Sequence, residues 1–316
     1  MKRSRIYFFA VLVGLPLLPA FGLLVSNIGY GQSPDPPKSS ATDAKRLVKP
    51  TILIIDRAGK PIVNNEALAA AAAANLLTLS NEFAWTFGSK EQHGWFLYAP
   101  LIKRLVGADD PPASKGFAVA LARWQQTSGL SPTGVLDEES LDTMIGKWQA
   151  ARIQNRDLAP PDQLVTVPAT EFYDPERLEE LRQVEKTAYA AYHKMLAAAF
   201  KEPSLHLATN ADGGLAANEK FLKIISAFRS REYQEKLRRQ SPKVGRAGLA
   251  INSPHFTGRA LDLYVGGDPV DTKDTNRALQ IQTPVYQWLV RNAEKFGFRP
   301  YFYEPWHWEY VGEPDK

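Results

Sequence analysis

"NSPHFTGRALDLY" (252–264) carries one of only five histidines in the chain, His255, and seven residues later an aspartate, Asp262, inside an apolar run. Read as a strand, "RALDLYVG" alternates. Leu261, Leu263 and Val265 share one face, and Ala260, Asp262 and Tyr264 share the other. The leucine face is core. A carboxylate buried without a partner costs several kcal/mol, so Asp262 has to be exposed, paired with a cation, or bound to a metal. Arg259 lies on the wrong face of a regular strand to be its simple partner, which leaves exposure or metal. Gly258 marks a bend or a close backbone approach. A bend there brings His255 toward Asp262, although a regular strand would send residues seven apart to opposite faces.

Two ligands do not close a metal site. The C-terminal stretch "YFYEPWHWEYVG" (301–312) offers Glu304, His307 and Glu309. In "HWEYV" His307 and Glu309 share a strand face, and Trp308 and Tyr310 share the other. Pro305 breaks regular structure between Glu304 and His307. Two histidines and one aspartate leave the fourth position of a tetrahedral zinc open, as catalytic rather than structural sites do. A glutamate nearby that is not a ligand is what such a site needs as general base.

"SPHFTGRALD" fits Ser-x-His-x-x-Gly-x-Ala-x-Asp, and "EPWH" fits Glu-x-Trp-His. With "ISAFRSREYQ" (225–234), these motifs resemble the zinc D-alanyl-D-alanine carboxypeptidases of the vancomycin-resistance Y and X type, over about 150 residues and in the family's order. The resemblance implies an α+β catalytic domain with a small antiparallel sheet flanked by helices. It implies His255, Asp262 and His307 as zinc ligands, Glu304 as general base and acid, and Arg229 as the residue that stabilises the oxyanion. It also implies substrate contacts from Ser253 and, on the pocket wall, Gln234. Glu309 is then left to a supporting contact or a salt bridge, because the ligand count is complete. The implied reaction removes the terminal D-alanine of a peptidoglycan stem peptide. Two departures flank the site: "FGFRPYFYEPWH" is shorter than usual, and "GRAGLAIN" lacks a Pro-Gly. Both bear on substrate choice, and L,D-carboxypeptidases and wall endopeptidases use the same scaffold. A non-catalytic wall-binding protein is a further alternative, disfavoured because it need not keep Glu304.

Upstream, "ALARWQQTSGLSPTGVLDEESLDTM" resembles the peptidoglycan-binding modules of bacterial wall hydrolases. Phe117, Leu121 and Trp124 fall on one helix face, Gly134 marks a turn, and Asp137 starts a second helix. This gives a small, mostly helical wall-binding domain over 95–150, joined by a polar Pro-Pro linker (151–163) to the peptidase domain (164–316). Such a module raises the local concentration of polymer. A long helix is expected over 174–202, with His193 in it as a packing or surface residue. A helix is also expected over 65–83, within a segment (51–94) that carries no recognisable chemistry and opens on a short strand, "TILIID" (51–56).

The chain begins "MKRSR", then runs through 20 uncharged residues (6–25). This is an export signal or an uncleaved membrane anchor, with the leader ending near residue 31 and a Pro/Ser/Lys-rich linker following to residue 50. The protein is therefore expected in the periplasm or cell envelope. With 316 residues it has length for about two domains, and a monomer is expected. A net charge of +4 suits a polyanionic wall or headgroup layer and is too small and dispersed for nucleic acid. The absence of cysteine excludes disulfides, thiolate nucleophiles and Cys-based zinc sites, so any metal rests on histidine and carboxylate.

Overall fold

The computed structural model describes residues 65–313, apart from residues 81, 89 and 241–249. The expected leader, the first linker and the strand at 51–56 lie outside the described residues. Among the described residues no helix is long and apolar enough to cross a membrane.

The N-terminal part is mostly helical. Helix α1 (Asn65–Ser80) is followed by a short hairpin, β1 (Ala84–Phe87) and β2 (Lys90–His93), then α2 (Ala99–Val106), α3 (Lys115–Thr127) and α4 (Glu138–Ala150). Local chemistry sets the helix starts. Ser114 accepts a hydrogen bond from Phe117 N at 3.1 Å, and Asp137 accepts one from Ser140 N at 2.9 Å. Phe117, Leu121 and Trp124 are buried together, as their spacing requires. Gln125, in the aromatic-Gln pair of the sequence pattern, is fully buried. It donates to Ser140 Oγ and Val135 O, both at 2.9 Å, and accepts from Gly134 N at 2.8 Å. It thus pins the Thr133–Gly134 turn between α3 and α4. Asn75 of α1 holds the same turn from the other side, through Gly134 O and Leu136 N, both at 2.8 Å.

The C-terminal part is built on a four-stranded antiparallel sheet with helices around it, as expected of an α+β fold. A hairpin-like pair, β3 (Leu164–Thr166) with β4 (Gln183–Glu185), leads into α5 (Lys186–Ala199). Then follow β5 (Ile224–Ser226), α6 (Arg231–Gln240), β6 (Ala260–Leu263), α7 (Asp274–Gln282), α8 (Pro284–Asn292), β7 (Phe298–Pro300) and β8 (His307–Tyr310). The strand order is β5-β6-β8-β7. The sheet is buried on both faces at its centre: every residue of β6 and β8 is buried.

The helix expected over 174–202 is shorter than its acidic start suggested. Val184 of β4 is buried and pairs with Val165 of β3, and Glu185 caps α5 by accepting from Ala188 N at 2.9 Å. The glutamates at 179 and 180 sit in a 3-10 turn ahead of that strand.

The segment expected to be a linker, 151–163, lies against the fold. Arg152, Ile153 and Ala159 are buried, and Ala159 N donates to Phe256 O at 2.8 Å. One hydrophobic core runs through both parts, from Trp85 to Tyr310. Phe302 shows how. Its ring lies 4.7 Å from Phe87, 5.6 Å from Tyr98 and 5.8 Å from Trp148, centroid to centroid. Segments 95–150 and 164–316 thus share apolar interior, and a polar composition at 151–163 concealed side chains that point inward.

Candidate metal centre and active site

Strand register brings the first two residues together. Asp262 of β6 is the direct cross-strand partner of His307 of β8, so their side chains project from the same face. The third arrives by a bend. His255 lies in a 3-10 turn (Pro254–Thr257) that Ser253 caps and Gly258 ends at φ +63°. A Cβ on Gly258 would meet Leu164 Cδ2 at 2.9 Å and Glu185 N at 3.0 Å, so this left-handed, tightly packed position requires glycine. One ligand atom from each of His255, Asp262 and His307 lies within 4.8 Å of the others, and all three residues are buried.

The rings are held from behind. His255 Nδ1 is 2.7 Å from Ala227 O, which can only accept, so Nδ1 carries the hydrogen. Its Nε2 then turns a lone pair toward Asp262 Oδ2, 3.3 Å away. His307 has Nδ1 at 2.8 Å from Asp262 Oδ1 and Nε2 at 3.0 Å from Glu309 Oε1. Donation from Nε2 to Glu309 leaves Nδ1 as the atom that faces the cluster. Histidine ligands with the far nitrogen anchored on a carbonyl and a carboxylate, converging on one buried aspartate, fit a zinc-type ion.

Asp262 is neither exposed nor dependent on a metal for its charge balance. Arg229 Nη2 donates to Asp262 Oδ2 at 2.9 Å. The sequence excluded Arg259 as partner but offered no reason to pick an arginine from a distant strand end. Arg229 is itself fixed by Ser226 Oγ at 3.0 Å and Gln234 Oε1 at 3.4 Å.

Electrostatics separate the groups. Burial would raise Asp262, but the two histidines hold its carboxyl well below the usual range. Burial, then the Arg229 charge, pushes His255 down to about 4. Burial alone would lower His307, yet its bonds to Asp262 and Glu309 raise it to about 9. Glu304 is raised to about 7, chiefly by burial. Burial would raise Glu309 as well, but His307 and Arg152 bring it down to about 2.

His255, Asp262, Glu304 and His307 open onto a cleft of about 500 Å³. Arg152, Arg156, Arg177 and Arg229 line it with Ser253 and Glu304, so its wall is rich in cations. Of the residues expected at the site, Gln234 is the exception: it stands behind Arg229 and does not line the cleft. Arg152 and Arg177 escaped the sequence reading because neither sits in a motif.

The fold and side chains together define a buried His–Asp–His centre with a separate buried carboxyl, Glu304, in the same cationic cleft. Residues 181–313 match the family model VanY, D-alanyl-D-alanine carboxypeptidase, and this part of the chain carries that family's pattern. A solved structure of the LdcB LD-carboxypeptidase is 26% identical, covering 50% of this chain and 72% of its own, with a TM-score of 0.35. No curated protein sequence matches the chain.

Proposed function

We propose that the protein is a zinc-dependent carboxypeptidase that removes the terminal D-alanine from peptidoglycan stem peptides outside the cytoplasm. The observation that carries this reading is the convergence of His255, Asp262 and His307 beside Glu304 in an arginine-lined cleft. The match of residues 181–313 to the VanY family supports the same reaction class. The leader-like N-terminus supports export, and the sequence pattern over 95–150 is the basis for a contact with the wall polymer.

His255, Asp262 and His307 would hold the ion, which supplies Lewis acidity toward the scissile carbonyl and toward water. Glu304 takes a proton from the attacking water and returns it to the leaving amine. A carboxyl near 7 can do both at neutral pH. The Arg229 guanidinium, held by Ser226, Gln234 and Asp262, presents donors to the developing oxyanion. The arginine-rich wall and Ser253 orient a peptide that ends in a free carboxylate.

The test is mass spectrometry of pentapeptide and tetrapeptide stems after incubation with the zinc-loaded protein and with a Glu304→Gln variant. Loss of one alanine from the pentapeptide alone is expected. The variant should keep its zinc and lose on the order of 10²–10⁴ in rate. Alanine loss from the tetrapeptide alone would replace the D,D reading with an L,D one. Full activity in Glu304→Gln would remove Glu304 from the mechanism.

A further inference from the structure

Glu309 is completely buried two residues after His307, the ligand proposed above, and its carboxylate is held by a residue from another part of the chain. Arg152 lies just past the C-cap of α4, Ala151, outside the residues that match the family model. Its Nε donates to Glu309 Oε1 at 2.9 Å, and its Nη2 makes a second, short bond to the same oxygen. The next backbone amide, Ile153 N, donates to Oε2 at 2.8 Å. Both carboxylate oxygens are thus fixed by two successive residues. The guanidinium is anchored in turn: Nη1 donates to Gln149 Oε1 at 2.8 Å, and Cζ lies over the Tyr301 ring, 3.9 Å from its centroid. Glu309 Oε1 then meets His307 Nε2 at 3.0 Å, which sets that ring's tautomer and points Nδ1 at the cluster.

We propose that Arg152 is a positioning residue for the metal centre, locking Glu309 so that Glu309 in turn fixes the ring of His307. The helical segment therefore completes the site of the C-terminal part. A carboxylate that orients a ligating histidine works only if its own geometry is held, and the loss of such partners typically weakens metal binding by about 10–100-fold. Simple charge neutralisation of Glu309 would need only a nearby cation. The structure provides more: two guanidinium bonds and one amide bond that leave the carboxylate one orientation. The inference rests on His307 being a metal ligand, as proposed above.

The test uses the full chain with Arg152→Ala, Arg152→Lys, Glu309→Gln and the Arg152→Ala/Glu309→Gln double variant. Zinc affinity is read by chelator competition, zinc-free stability by urea unfolding, and kcat and KM on the stem peptide. Arg152→Ala should bind zinc about 10–100-fold more weakly, a loss read with the metal alone and therefore separate from any change in KM that follows from removing an arginine of the cleft wall. Arg152→Lys should fall between, because an ammonium cannot reproduce the fork. The double variant should bind zinc no more weakly than Glu309→Gln, because both changes break one connection. Parental zinc affinity in Arg152→Ala, or additive losses in the double variant, would overturn the proposal. If Arg152→Ala does not fold, Arg152→Lys against Glu309→Gln decides by the same criterion. A parent that binds zinc but hydrolyses no stem peptide would sink the proposed reaction and leave the affinity comparison intact. A parent that takes up no zinc overturns both.

Discussion

Zinc uptake should expel a proton, and the structure identifies its source. Without the ion, His307 sits between the carboxylates of Asp262 and Glu309 and is raised to about 9. A protonated Nδ1 has no lone pair to give, so zinc must displace that proton. At pH 7, two units below the raised value, this competition weakens apparent affinity by about 100-fold, or about 2.7 kcal/mol. His255, pushed down to about 4, is already neutral and releases nothing. Asp262 is ionised throughout. Glu304, near 7, would blur the count, so the measurement is best made in Glu304→Gln. Calorimetry of zinc binding in two buffers of different ionisation enthalpy should show about one proton released per ion at pH 7. Apparent affinity should rise about tenfold per pH unit between pH 5 and 8. Stability of the zinc-free fold runs the other way. Because the folded value of His307 lies above its unfolded value of about 6.5, its contribution is fully present below pH 6.5 and lost as pH rises through about 9. No buffer dependence, with affinity flat from pH 6 to 8, would refute the proposed Asp262–His307–Glu309 arrangement.

Removing Arg229 leaves Asp262 buried without its cation. Arg229→Ala should cost the zinc-free protein about 3–5 kcal/mol in urea unfolding and the zinc-loaded protein markedly less, because the ion takes over the charge balance. Equal losses in both states would count against Asp262 as a ligand. Phe302→Ala should cost about 3–5 kcal/mol while keeping a single unfolding transition, because its ring joins Phe87, Tyr98 and Trp148 in one core. Two separate transitions would show that the helical part and the sheet part fold apart.

Much of the site was legible from side-chain type and spacing. Alternation in "RALDLY" and "HWEYV" correctly set which residues face together, since period two is a local property of a strand. Gly258 announced the bend that delivers His255. Long-range pairings were not legible. Arg229 and Asp262 are 33 residues apart, and Arg152 and Glu309 are 157 apart, so nothing in either neighbourhood names the partner. A buried Glu309 does demand a cation, but the chain offers 38 lysines and arginines to choose from. The boundary at 151–163 was read from polarity, which reports composition and not direction. Arg152 is polar because it serves a buried acid, not because it meets water. The short α5 has the same lesson. Glutamates over 176–185 suit a helix start, but only Glu185 is the cap, and strand pairing at Val184 takes what precedes it.

The shared interior around Phe302 also limits how this protein can be recombined. A wall-binding module on a loose tether can be exchanged by cutting the tether. Here a cut at 151–163 passes through the packing that buries Phe302 and removes the donors that satisfy Glu309. The smallest inheritable piece that carries the arginine-lined cleft with its packing intact therefore reaches back at least to Trp85 and the hairpin it belongs to. Gene fusions or truncations that respect the motif boundaries alone would transfer His255, Asp262 and His307 and lose the frame that holds them.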